Sequence, residues 1–273
     1  MTTPMITKLV RFQRPELSLP YLNGIDDAHV AALFGLESDG YRSLREDFTT
    51  QARAAAADLL TEDAVAEQVD RLPFAPGARV VALGESSTAD RLSWFEILRH
   101  LLELRRPGDA ITLLNLAVTG ATTTNTVKGI GALGFQRPDW VLCQLGANDA
   151  QRLGPDGPRV VSAEETARNL GILHDEGVRL SGARWVWLTP TDADESLIAA
   201  FPPFQQAGIS WRAADHEDTA RSLRERPEPV IDTLTVTRPG SGHRLYEPDG
   251  VHLTPLGQVA VARAVVSALA AMA

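Results

Sequence analysis

From residue 79 onward, short apolar runs alternate with segments of helical spacing, and this alternation is the tightest constraint on the fold. The runs lie at 79–83 (RVVAL), 110–118 (AITLLNLAV), 140–145 (WVLCQL), 184–189 (RWVWLT) and 229–236 (PVIDTLTV). Their length and β-branched content suit buried strands better than buried helices. Helical patterns fall between them at about 90–105, 123–133, 162–181 and 211–225. A chain written this way forms a parallel sheet with right-handed crossovers and helices on both faces. The expected architecture over 78–273 is therefore an α/β three-layer sandwich with a central parallel sheet of about five strands.

Residues 1–77 are written differently. Leu44, Phe48, Ala52, Ala55 and Leu59 recur at helical spacing, and Thr61 is placed to cap a further short helix ending near Leu72. Residues 73–77 (PFAPG) read as a turn or linker. We expect a helical N-terminal extension packed on the main domain. It shows no catalytic constellation, so the chemistry is expected elsewhere; a lid or dimer contact is the alternative.

Bulk properties narrow the function classes. The 273 residues give room for one large α/β domain with an appendage. Acidic residues number 35 against 26 basic, a net charge of -9, which disfavours nucleic acid and anionic membrane as partners. No apolar stretch approaches the ~18 residues of a membrane span. The start, MTTPMITKLVRFQRPE, lacks a signal-peptide core, so a cytoplasmic protein is expected. A homo-oligomer is left open. Lysine occurs only at Lys8 and Lys128, which reads as a coding habit. The single Cys143 excludes an intrachain disulfide and reads as a buried thiol. The six histidines, His243 among them, show no metal-ligand spacing, so neither a metal nor a cofactor is expected. GIGALG at 129–134 matches a dinucleotide fingerprint by letter, but no strand precedes it and Pro138 follows; its glycines read as packing positions at a helix end.

Ligands of such sheets bind at the carboxyl ends of the strands. Gly84-Glu85-Ser86 follows the first strand, Gly120 in VTGATT the second, and Asn148 in GAND the third. Each alone is an ordinary turn. Asp249 and His252, three apart in YEPDGVHLTPLG before the last helix, complete the set. Such a pair can fix an imidazole tautomer beside a serine at a strand-to-helix corner. The plain alternative for that loop is a turn whose Asp caps the final helix.

These stretches resemble the SGNH hydrolase superfamily, also called GDSL esterases and lipases. NLAVTGATT, QLGAND and DGVHLTPLG are close to family wording, and the resemblance covers residues 79 to about 270. It implies an SGNH/flavodoxin-like sandwich with Ser86 as nucleophile, His252 as base and Asp249 as triad acid. The implied oxyanion hole is made by Ser86, Gly120 and Asn148. One departure stands out: Glu85 replaces the family's usual aspartate and leaves the shape of the serine turn open. The GxSxG elbow of α/β-hydrolases is not matched, since Thr88 occupies its last position.

The expected reaction is hydrolysis of a small or medium carboxylic ester through an acyl-enzyme. Acyl transfer to an alcohol or amine is the alternative, and a non-catalytic binding protein the alternative outside enzymes. The helix expected to begin near Asp90 would point its positive end at the oxyanion, with Ser87 as its cap. Phe201, Phe204 and Trp211, in the apolar stretch 195–211, are candidate substrate contacts or core residues. Arg152 is a candidate anchor for a substrate anion or a solvated loop residue.

Overall fold

Five strands form one parallel sheet in the computed structural model, which describes residues 3–15, 25–239 and 244–273. His243 lies outside the described residues. β1 (Arg79–Gly84) lies between β2 (Thr112–Asn115) and β3 (Trp140–Gln144). β5 (Arg184–Leu188) and β7 (Val230–Ile231) continue the sheet beyond β3, giving the order β2-β1-β3-β5-β7. β4 (Arg152–Leu153) and β6 (Ile209–Ser210) make a separate antiparallel ribbon of two residues each.

The layers follow from the period of two along each strand. Val80 and Ala82 face one side with Leu142, Val186 and Leu188; there they meet Trp94, Phe95, Leu98 and Leu101 of helix Trp94–Arg105 and Val261, Val265 and Leu269 of helix Pro255–Ala270. Val81 and Leu83 face the other side with Val141, Cys143, Trp185 and Trp187, against Leu133, Leu170, Leu173 and Leu223. Burial pushes the Cys143 thiol upward in pKa, as suits an inert core cysteine. The first core also takes Ala56, Leu59, Val65, Val69 and Phe74, so the long helix Ser38–Leu60 and helix Asp63–Asp70 share the main hydrophobic core.

Several boundaries differ from the sequence pattern. The last strand stops after Ile231, because Asp232 accepts the Thr235 amide (3.0 Å) and starts the short helix Thr233–Val236. The helix expected near Asp90 begins at Trp94, and its cap is Ser93, whose side chain accepts the Glu96 amide (3.4 Å); Ser87 is not that cap. Thr61 closes the preceding helix by donating to the Asp58 carbonyl (2.6 Å) and does not open the next. The GIGALG stretch spans the junction of helices Thr123–Gly129 and Gly131–Gln136. Helix Thr3–Phe12 is not among the helices expected above. It docks through Val10, which joins Val30, Phe34, Tyr41 and Leu92 in a small core of its own.

Among the described residues no helix is long and apolar enough to cross a membrane, and no cluster of His, Cys, Asp and Glu could hold a metal ion.

One helix–sheet contact has no room for a side chain. A Cβ on Gly177 of helix Ala163–Ser181 would lie 2.3 Å from the Trp185 ring, whereas one on Gly171 meets only Arg226, at 3.9 Å. Gly177→Ala should therefore lower stability by about 1–3 kcal/mol through overpacking. Gly171→Ala in the same helix should be neutral or raise it by up to about 1 kcal/mol. Urea midpoints of the two variants check the contrast.

Candidate active site

All five strand ends of a parallel sheet face one edge, and the candidate residues collect there. β1 ends at Gly84, where a Cβ would lie 2.7 Å from the Thr88 side chain, so the chain can turn this tightly only at glycine. Ser86 then opens a single helical turn, Ser86–Ala89, and is largely buried. Its position at the first residue leaves its N–H without an intrahelical acceptor.

Glu85 points beneath this turn and is 2% exposed. Its carboxylate accepts the Ala147 N–H (2.9 Å), the Asn148 N–H (3.0 Å) and the Asn148 side-chain amide (2.8 Å). The residue that departs from the family pattern thus ties the end of β1 to the loop after β3. Burial pushes its pKa up to about 8, with nearby Asp149 adding to the rise and the three N–H donors opposing it. Asp149 is itself buried, held by the Thr123 N–H (2.9 Å), the Thr123 hydroxyl and the Thr166 hydroxyl (3.1 Å).

Asn148 donates both amide hydrogens, one to Glu85 and one to the Ala121 carbonyl (3.1 Å). Gly120 sits in the adjacent turn with φ +79°, a conformation that favours glycine. Behind these loops Gln144 closes the sheet edge. Its oxygen accepts from Thr88 Oγ1 (3.0 Å) and Trp94 Nε1 (2.9 Å), and its nitrogen donates to Thr189 and Thr233.

The second half of the site is the loop before the last helix. Gly250 (φ +72°) lets it turn where a Cβ would lie 2.5 Å from the Asp194 carbonyl. Asp249 Oδ1 accepts the N–H groups of Val251 (3.0 Å) and His252 (2.9 Å). Asp249 Oδ2 lies 2.9 Å from His252 Nδ1. A carboxylate only accepts, so Nδ1 carries the proton and Nε2 has a lone pair for a substrate-side proton. Burial would raise the Asp249 pKa, but hydrogen bonds and charge from His252, then Lys8, hold it well below the usual carboxylate range.

Gln258 joins the two halves: it donates to the Ser87 carbonyl (3.0 Å) and accepts the Trp94 N–H (2.9 Å). The N-terminal segment, expected to stand apart from the chemistry, joins them as well. Arg11 makes a bidentate pair with Asp90 (2.9 and 2.7 Å) and reaches Glu247 (2.7 Å). Arg14 donates to the Ala89 carbonyl (2.7 Å) and to Glu96 (2.8 Å). The Thr119 hydroxyl donates to the Phe12 carbonyl. Phe12 packs on His252 with ring centroids 4.6 Å apart, and Lys8 Nζ lies 2.8 Å from Asp249 Oδ2. Lys8, Arg11, Phe12 and Gln258 escaped the sequence reading; the rarity of lysine was the one available signal at Lys8.

Of the candidate substrate contacts, Trp211 is buried and donates Nε1 to the Ala147 carbonyl (2.9 Å). Phe204 packs between Trp211 and Phe201, with ring centroids 4.9 Å from each. Phe201 lies 5.7 Å from Lys8 Nζ. Arg152 is placed otherwise than as a free anchor. Its guanidinium makes a bidentate pair with Asp215 (2.5 and 2.9 Å) and also donates to the Gly157 carbonyl (2.8 Å). That charge is answered within the protein and holds β4 to helix Ala213–Arg224.

The model for the GDSL-like Lipase/Acylhydrolase family matches residues 82–260. The chain belongs to this family. As a member it is a carboxylic ester hydrolase of the SGNH/GDSL type. Similar solved structures include LAE5, an alpha/beta hydrolase enzyme from the metagenome of Lake Arreo, Spain, at 20% identity and TM-score 0.56, over 72% of this chain and 97% of that one. A variant of an acetyl xylan esterase from Geobacillus stearothermophilus aligns at 20% identity and TM-score 0.54, over 72% of this chain and 96% of that one. Another acetyl xylan esterase, AlAXEase, gives 16% identity and TM-score 0.54, over 70% and 98%. At these identities the likeness speaks for the fold. Comparison with curated proteins finds no match.

The raised Glu85 pKa has a definite sign in stability. The folded state holds this proton more tightly than the unfolded state, so the contribution is fully present below the unfolded pKa and is lost as pH rises to about 8. Wild type should therefore lose stability relative to Glu85→Gln between pH 5 and 8.5. Urea melts at the two pH values check this; a relative gain by wild type would contradict the assignment.

Proposed function

We propose that the protein is a serine esterase in which Ser86 attacks a small or medium carboxylic ester, with His252 as base and Asp249 as its partner. The observation that supports this reading most directly is the 2.9 Å contact of His252 Nδ1 with Asp249. It fixes the tautomer that a general base facing a serine requires. His252 Nε2 takes the Ser86 proton as Oγ bonds to the carbonyl carbon. The tetrahedral intermediate then collapses, and the imidazolium returns that proton to the departing alcohol. Water attacks the acyl-enzyme with His252 again as base, releasing the acid and restoring Ser86.

The negative oxygen of the intermediate is met by the N–H groups of Ser86 and Gly120 and by the Asn148 amide. Asn148 must turn one of its hydrogens from Glu85 or the Ala121 carbonyl toward the substrate. That exchange is favoured only when charge develops, which is the condition for lowering a barrier. Phe201 and Phe204 offer an aromatic wall for the acyl or alcohol group, with Trp211 packed behind. Acetylated sugars are the first substrates to try, since acetyl xylan esterases share the fold.

Ser86→Ala should remove esterase turnover on p-nitrophenyl acetate while the protein stays folded, and a serine-directed phosphonate should label Ser86 in the wild type. An adduct on Ser87, or an active Ser86→Ala enzyme, would refute the reading. Asn148→Ala should lower kcat on the order of 10²- to 10³-fold with KM little changed. Steady-state kinetics separate this from a loss of substrate binding, which would move KM alone.

A further inference from the structure

We infer that Lys8 is a positioning residue of the Asp249–His252 pair, and that helix Thr3–Phe12 is part of the hydrolytic site. This rests on the esterase reading above.

The geometry begins with one oxygen. Asp249 Oδ2 receives both the His252 ring nitrogen (2.9 Å) and Lys8 Nζ (2.8 Å), while Oδ1 receives two backbone N–H groups. Two donors on each oxygen fill the usual acceptor capacity of a carboxylate, so its orientation is fixed from every side. Residues 8 and 12 are four apart and share one helix face. That face meets the site twice, through Lys8 on the carboxylate and through Phe12 on the imidazole (centroids 4.6 Å apart).

Lys8 also adds a positive charge beside the imidazole. A neighbouring cation disfavours the formation of a second positive charge beside it, and removing the cation eases that penalty. Among the described residues, the other charged groups packed around the pair are already engaged. Arg11 of the same helix is paired with Asp90 and Glu247, and Asp194, across from Gly250, caps the helix Glu195–Ala200. Lys8 is therefore the cation that acts on Asp249 directly. Its side chain is roughly half exposed (47%), so it holds the carboxylate from the surface, beside the Phe201 ring.

The test compares full-length wild type, Lys8→Met, Lys8→Arg and the remote exposed Lys128→Met. Two readouts are used: the pH profile of kcat/KM on p-nitrophenyl acetate, and an NMR titration of the His252 ring assigned with His252→Asn. Lys8→Met should move the acid limb and the ring titration up by about half a pH unit, a roughly threefold loss of kcat/KM on the acid side. Lys8→Arg should restore most of the shift, and Lys128→Met should show none. Raising the salt concentration should shrink the difference between wild type and Lys8→Met. Superimposable ring titrations for wild type and Lys8→Met would overturn the inference, whatever the activity. Absence of Ser86-dependent turnover in wild type would instead count against the esterase reading, and the ring titration would still decide the role of Lys8.

Discussion

The guanidinium of Arg11 lies between carboxylates from the two halves of the site. Asp90 follows the serine turn and Glu247 precedes the Asp249–His252 loop. Burial alone would lower the pKa of this arginine, but its two partners raise it above the ordinary value. A buried ion pair is costly to assemble, yet removing one partner typically costs about 3–5 kcal/mol, because the other charge is left unanswered. The arrangement is therefore specific more than it is strong. It fixes one distance, between the segment carrying Ser86 and the segment carrying His252. Gln258 fixes the same distance from the other side through Ser87 and Trp94.

The floor of the site follows the same logic. Glu85, Gln144 and Asp149 are polar side chains buried at the carboxyl edge of the sheet, where the backbone must leave the ladder and turn. An apolar residue could fill that space, but it could not satisfy the amides of Ala147 and Asn148 or the hydroxyls of Thr88 and Thr123. Each of these polar groups joins two loops that the sheet alone does not align. The longer reach of Glu85 explains how the chain tolerates the departure from aspartate. The added methylene carries the carboxylate to the loop after β3, where it also holds the Asn148 side chain.

Much of this was legible in the sequence, and the reason is periodicity. The strands at 79–83 and 140–145 appear as apolar runs, and the loops that follow them carry wording close to the family's motifs. The parallel sheet and the family followed from those features. What escaped was set by contacts distant in sequence. Helix Thr3–Phe12 carries Ile6, Leu9 and Val10 at helical spacing, but what its faces pack against is set by partners 20 to 240 residues away. Its arginines look like solvated charge until Asp90 and Glu247 are in place. Arg152, read from its loop position as an anchor for a substrate anion or a solvated residue, pairs with Asp215 on a helix 63 residues on, a contact no local pattern reveals. The run at 229–236 carried strand-like residues, but the local cap at Asp232 outweighed them.

These magnitudes also divide the labour between the two cations of the first helix. Lys8 is half exposed, so solvent screens its pair with the buried Asp249, and that single contact does not dock a helix against the entropy of ordering it. The largely buried Arg11 and the apolar anchors Val10 and Phe12 supply that attachment. The docking of the helix therefore does not rest on Lys8 alone. A lysine held in place by its neighbours can spend its charge on one carboxylate oxygen. A compact ammonium suits that task, since it meets Oδ2 alone and leaves Oδ1 to the backbone N–H groups. In a chain that otherwise writes its cations almost entirely as arginine, the lysine at position 8 falls where a single-point donor meets one carboxylate oxygen.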